Sequence, residues 1–258
     1  MNRLLTIIFI SLFFASCFTG GSVQGPYLVD ENRQKENLYY IPSTPNTPLS
    51  SETGHLHFNF LRSSGDKYSG VELQGGIIPV EHLGIIASFA GAQNNSSEDF
   101  TDFHRFNVGA GYVGKISKRW HVEAYGGFGK GQVSNHHYTG YSNIDLNEFF
   151  AQPAIAYSNP KKTVEIGLIS RFTYADLIVK DAAFDHAREL YNAEQVNRLA
   201  WQPTNFMWEP ALILRAGWKN FKFHGGYTVS ADLNNPSLNM SKGNLSLGAS
   251  LQFNTAKK

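Results

Sequence analysis

The 258-residue chain is 42% hydrophobic and 17% charged, has a formal net charge of +1, a single cysteine and a mean hydropathy of −0.27. Beyond the first 16 residues no apolar run approaches the ~20 residues that a spanning helix requires, which excludes helical membrane insertion. The near-neutral charge argues against a nucleic-acid binder, which normally carries a basic stripe, and one cysteine excludes an internal disulfide framework.

Residues 1–16 read as a secretory signal: Arg3 precedes an apolar stretch over 4–14, and Phe14-Ala15-Ser16 leads into Cys17. The Phe-Ala-Ser-Cys run resembles a bacterial lipobox, with Phe14 standing where Leu is usual. That resemblance implies that Cys17 begins the mature chain and carries a diacyl group. Residues 17–53 form an arm with a dense polar run at 30–36, followed by Tyr39-Tyr40-Ile41-Pro42-Ser43-Thr44-Pro45-Asn46-Thr47-Pro48-Leu49. Proline fixes φ and favours polyproline geometry, so this piece lies along a surface at low entropic cost. It is expected as a periplasmic arm that lines a lumen or meets a partner, because Tyr39, Tyr40 and Leu49 give it more apolar mass than a spacer carries.

From residue 54 to 254 the pattern becomes two-residue alternation. Val71, Leu73 and Ile77 oppose Glu72 and Gln74. Trp120, Val122, Ala124 and Phe128 oppose His121, Glu123 and Tyr125. Val164, Ile166, Leu168 and Phe172 oppose Glu165 and Arg171, and in 205–218 Phe206, Trp208, Leu212 and Leu214 oppose Glu209 and Arg215. Phe221 and Phe223 oppose Lys222 and His224, and residues 244–253 close with Leu245, Leu247, Leu251 and Phe253 against Ser246, Ser250 and Gln252. Successive strand side chains point to opposite sides, so each segment has one greasy and one polar face.

A soluble barrel turns such a greasy face inward, and a membrane barrel turns it outward. Aromatic girdles decide between them, since Trp and Tyr collect at both bilayer interfaces. Trp120, Tyr157, Trp218 and Phe253 mark one end of the strands, and Phe106, Phe149, Tyr174, Phe206 and Trp208 the other. Short connections are expected near Glu81 and His82, Ser117 and Lys118, 159–161, and Lys219 and Asn220. Long ones are expected at 93–103, 132–145, 175–204 and 231–242, with a modest first loop at 63–67. The expected fold is therefore all-β: a transmembrane antiparallel up-and-down barrel of about ten strands, with eight or twelve as alternatives, both termini periplasmic, and a four-residue tail at 255–258. Within 175–204, Asp181 is positioned to cap a helix in which Ala183, Ala187 and Leu190 share a face, giving one helical extracellular loop.

The inward charges, Glu72, Glu123, Glu165, Arg171, Glu209, Arg215 and Lys222, are nearly balanced, as paired networks in a filled lumen would be. That favours a plug over a pore, and a narrow channel lined by the same residues is the alternative. For an outer-membrane hydrolase the candidates are Asp99, Asp102, His104, His136, His137, His186 and His224, but none has omptin or lipase spacing, so no catalytic residue, cofactor or metal site is expected. Leader, Tyr-Ile-Pro…Pro-Leu arm and barrel together resemble the small lipidated outer-membrane β-barrels of Gram-negative bacteria. The resemblance implies a location in the outer membrane, contact with its lipids, and a non-enzymatic accessory or structural role beside envelope protein partners met through the long loop or the arm.

Overall fold

The structure is a computed structural model that describes residues 37–65, 67–95, 100–137, 139–185 and 190–255. Cys17 and residues 1–16, where a leader is expected, lie outside the described residues. Ten long strands make the wall: β1 (His55–Ser64), β2 (Ser69–Val80), β3 (Leu83–Asn95), β4 (Phe100–Lys115), β5 (Trp120–His137), β6 (Gly140–Ser158), β7 (Val164–Phe184), β8 (Thr204–Gly217), β9 (Phe221–Val229) and β11 (Gly243–Asn254). The helix α1 (Leu190–Trp201) joins β7 to β8, and the two-residue strand β10 (Ala231–Asp232) pairs back onto β8.

Each long strand pairs antiparallel with its neighbours in sequence, β9 pairs with β11, and β11 pairs with β1 from His55↔Asn254 to Ser64↔Leu245. The sheet is closed. Closure satisfies every strand edge internally, which hydrocarbon surroundings demand. The two-residue connection at Glu81 and His82 has His82 at φ 67°, the left-handed geometry that a turn takes at its second central residue when the chain reverses there.

Side-chain burial shows which way the faces point. Phe149 is 65% and Leu168 57% exposed, whereas Glu209 is 1% and Arg215 0% exposed. The apolar side of the wall therefore faces outward and the charged side inward, which is stable only where the outer solvent is lipid. Phe128, Phe149, Tyr174 and Phe206 are successive cross-strand partners and make a row across β5 to β8, while Trp120 pairs with Tyr157 near the other end.

Above that row the polarity reverses. On β6 the outward residues change from Phe149, Ala151 and Ile155 to Asn143, Asp145 and Asn147, and the inward ones from Glu148 and Gln152 to Ile144 and Leu146. On β5, Lys130, Gln132 and Ser134 point outward and Val133 inward, and on β7 Leu177 is buried while Lys180 faces out and meets Asp145 at 3.1 Å. Water, not lipid, surrounds this part of the wall. The long loops expected at 93–103 and 132–145 are thus mostly strand: β3 and β4 are separated only by 96–99, and β5 and β6 by 138 and 139. The same holds for 175–184, which continues β7, so Asp181 is paired with Asn143 rather than capping a helix. The helix of that connection begins at Leu190 and buries Asn192, Ala193, Gln195, Val196 and Leu199. The projecting strands hide their apolar residues against the helix and the arm, so their alternation is inverted and carries no greasy outer face to mark them as membrane strands.

Candidate functional site

The described part of the arm, 37–53, occupies the lumen as a plug. Prolines at 42, 45 and 48 keep it extended and remove three N–H groups that would otherwise need partners inside the barrel. At the mouth carrying α1, the Asn37 N–H donates to Asn192 Oδ1 (3.0 Å), the Leu38 N–H to Asn135 Oδ1 (3.0 Å), and the Tyr39 N–H to the Asn239 carbonyl (3.0 Å). Tyr40 bridges to Met240. Leu38, Tyr39, Tyr40 and Ile41 then pack with Phe103, Val133, Ile144, Leu146 and Leu177 from the wall and with Val196 and Leu199 from α1.

Below this apolar collar sits a charged belt. Glu148 accepts from Arg105 (3.1 Å) and Arg171 (2.8 Å), and Arg171 also lies 3.6 Å from Glu209. Tyr40 joins belt to plug: its hydroxyl donates to Glu209 (3.1 Å) and accepts from Arg105 (2.9 Å), whose other nitrogen donates to Ser43. Deeper, Glu72 accepts the Thr44 N–H and Asn244 (2.9 Å). Asn46 donates to the Gly75 and Ala87 carbonyls, each at 2.8 Å, and its own carbonyl accepts from Gln152 (2.8 Å).

Toward the short-turn mouth, Glu123 accepts from the Thr47 hydroxyl and the Ser50 N–H, and Arg215 donates to the carbonyls of Thr47 (2.8 Å) and Pro48 (3.1 Å). Leu49 drops into an apolar pocket of Ala154, Ala156, Ile169, Ala211 and Ile213. Lys222 and Glu165 pair at 2.8 Å, with Gln252 completing the cluster. At the rim, burial pushes the Glu52 carboxyl up, but the Lys162 ammonium paired with it outweighs burial and holds it below its ordinary range. A cavity of about 450 Å³ opens there, lined by Leu49, Ser50, His55, Lys115, His121 and Lys162 among others.

The seven charges singled out in the sequence all point inward. Glu165, Lys222, Arg171 and Glu209 belong to ion pairs of the wall, Glu209 also accepting from Tyr40 of the plug, whereas Glu72, Glu123 and Arg215 have no ion-pair partner within 4 Å among the described residues and each hydrogen-bonds the plug, Glu72 with a further bond from Asn244 and Arg215 with one to His224. Arg105 and Glu148, the centre of the belt, were not singled out. Their positions beside outward Phe106 and Phe149 were the available signal, because period-two alternation sends the neighbour of a girdle aromatic inward. Of the girdle residues, Trp120, Trp218 and Phe253 face outward at the short-turn end and Phe106, Phe149, Tyr174, Phe206 and Trp208 at the other.

The hydrolase candidates do not converge. Asp99 and His186 lie outside the described residues, His136 stacks between Phe100 and Tyr141 on the outer wall, and His224 is inside, accepting from Arg215 (3.2 Å). Among the described residues no group of three or more His, Cys, Asp or Glu is placed to hold a metal ion.

No protein-family model matches the chain. No curated protein matches it. Among solved structures, the attachment invasion locus protein Ail of Yersinia pestis is similar over 78% of this chain and 100% of its own, at 15% identity and a TM-score of 0.37. The N-terminal β-barrel domain of Pseudomonas aeruginosa OprF is similar over 78% and 98%, at 8% identity and 0.38. The translocator domain of the autotransporter NalP from Neisseria meningitidis is similar over 78% and 88%, at 9% identity and 0.45.

Proposed function

We propose that this chain is a sealed, non-enzymatic barrel of the bacterial outer membrane that serves as an accessory or structural subunit of an envelope complex, lipid-anchored through Cys17. The observation that carries the reading is the plug. A transport pore needs a water-filled path, yet here inward side chains and residues 37–50 bury one another from the apolar collar down to Leu49. Buried polar groups that are engaged with the chain itself make a rigid scaffold rather than a site awaiting substrate.

Partner contact is assigned to the α1 mouth. Trp201 there is 91% exposed and Leu190 62%, and large exposed apolar side chains in the water-facing part of a barrel mark interaction surfaces. The two elements expected to meet a partner, the long loop and the arm, come together at this mouth through Asn37 and Asn192.

The test has two arms. Purified protein in planar bilayers is expected to show no sustained open level, and a stable conductance would replace the scaffold with a channel. Gentle detergent extraction of tagged protein is expected to bring down a defined stoichiometric partner that is lost from a Trp201→Ala, Leu190→Ser variant. A solitary monomer in both cases would refute the accessory role.

A further inference from the structure

The direction in which the plug crosses the barrel follows from its partners in order. Asn37 is held at Asn192 of α1 and at Ser142 in the first residues of β6, and Leu38 at Asn135 in the last residues of β5. Asn135 and Ser142 lie on the part of the wall that projects past the girdle into water, and α1 packs at the same mouth. At the other end Ser50 is held by Glu123, Glu52 pairs with Lys162, and the Gly54 N–H bonds to the Ile78 carbonyl beside the β2–β3 turn (2.7 Å). Strand β1 starts there, and His55 is paired with Asn254 of the last strand.

Between those ends the contacts step through the wall without doubling back: Tyr40 and Ser43 at the belt, Thr44 at Glu72, Asn46 at Gly75 and Ala87, Thr47 and Pro48 at Arg215, Leu49 at His121. The segment 37–53, at the ~3.1 Å per residue of a proline-spaced extended chain, reaches about 50 Å. A hydrocarbon core is only ~30 Å thick. The segment is long enough to pass from one aqueous side to the other.

We infer that residues 37–53 are an eleventh crossing of the membrane, one that is not a strand, and that the polypeptide enters the barrel at the α1 mouth. Ten strands alone would bring the start of β1 and the end of β11 to the same face, and an arm ahead of β1 would be expected to stay there. The added crossing breaks that parity: Asn37 and Thr255 sit on opposite faces. The prolines serve this path, since a segment lacking three N–H donors can run the lumen without seeking a strand of its own to pair with. This threading holds whether or not the barrel has an envelope partner.

Three versions of the full chain, each expressed in a Gram-negative host, test the direction. An epitope is inserted between Glu36 and Asn37, in the 96–99 connection, or after Lys258, and antibody binding is compared in intact and permeabilised cells. The 36/37 epitope is expected to be reached together with the 96–99 epitope in intact cells, while the C-terminal epitope is reached only after permeabilisation. A 36/37 epitope that tracks the C-terminal one overturns the inference. In case the insertion blocks assembly, the pair Asn37→Cys with Asn192→Cys gives a second reading without added residues: an oxidant is expected to cross-link it and to leave Ser50→Cys with Asn192→Cys unlinked, and the reverse pattern refutes the direction of threading.

Discussion

Replacing Arg105 tests the plug and the belt at once. Its guanidinium is buried and binds Glu148 at 3.1 Å, the Tyr40 hydroxyl at 2.9 Å and Ser43, so the Arg105→Met variant removes one of two cations from Glu148 and two plug contacts together. Stripping a buried carboxylate of its sole partner costs about 3–5 kcal/mol. Arg171 remains at 2.8 Å from Glu148, and with that partner kept the expected loss is about 2–3 kcal/mol. Glu148→Gln alone is expected to cost a similar amount, because two guanidinium groups then face a neutral amide. The double variant removes both halves of the Arg105–Glu148 contact, and its loss is expected to fall short of the sum by about 1.5–2.5 kcal/mol, within the range seen for residues of one network. The assay is urea unfolding of protein refolded in detergent, followed by tryptophan fluorescence and extrapolated linearly to water. A coupling below about 0.5 kcal/mol, the size found for independent sites, would refute the claim that Arg105 and Glu148 act as one buried network at the belt.

Two arginine substitutions locate the change of solvent along the wall. Leu168→Arg, on the outward face between the girdles, is expected to cost about 2–4 kcal/mol, whereas Gln132→Arg, outward on the projecting part of β5, is expected to cost about zero in the same titration; equal costs would mean that the projecting strands are not in water. Leu49→Ala empties the pocket of Ala154, Ala156, Ile169, Ala211 and Ile213 and is expected to lose about 2–4 kcal/mol, with residues 37–53 becoming cleavable by added protease; unchanged stability would show that the plug's lower end is not anchored there. Glu52 lies below its ordinary value of 4.5 through Lys162, so its contribution is present above that value and disappears as pH falls through the lowered one. Both side chains are more than a third exposed, which limits the effect to less than about 1 kcal/mol, and Lys162→Met is expected to flatten the pH dependence of stability below about pH 4.5. An unaltered acid limb would assign that dependence to other carboxylates.

Strand identity was legible because period-two alternation is local. Glu72, Glu123 and Glu209 could be placed on the lumen side from their immediate neighbours, as could Phe149 and Trp208 on the lipid side. Arg105 and Glu148 were equally readable by parity beside Phe106 and Phe149. The stretches 132–136 and 175–184 were misread as loops because alternation says only that two faces differ. Which face is the greasy one depends on the solvent outside, and Val133, Ile144 and Leu177 turn inward where that solvent is water.

Sequence alone determined that this chain builds a membrane wall with a balanced polar interior, since the two-residue repeat gives each strand one greasy face, the aromatic girdles turn that face to lipid, and a backbone in lipid must close its hydrogen bonds. Only the tertiary structure decided what the interior charges bind. Glu72, Glu123 and Arg215 look like halves of ion pairs when the strands are read one by one. They are instead the cradle of residues 44–50: Glu72 and Glu123 accept from the N–H and hydroxyl donors that segment retains, and Arg215 donates to carbonyls left without strand partners, pairings that only the closed wall brings together, at separations of up to 168 residues along the chain.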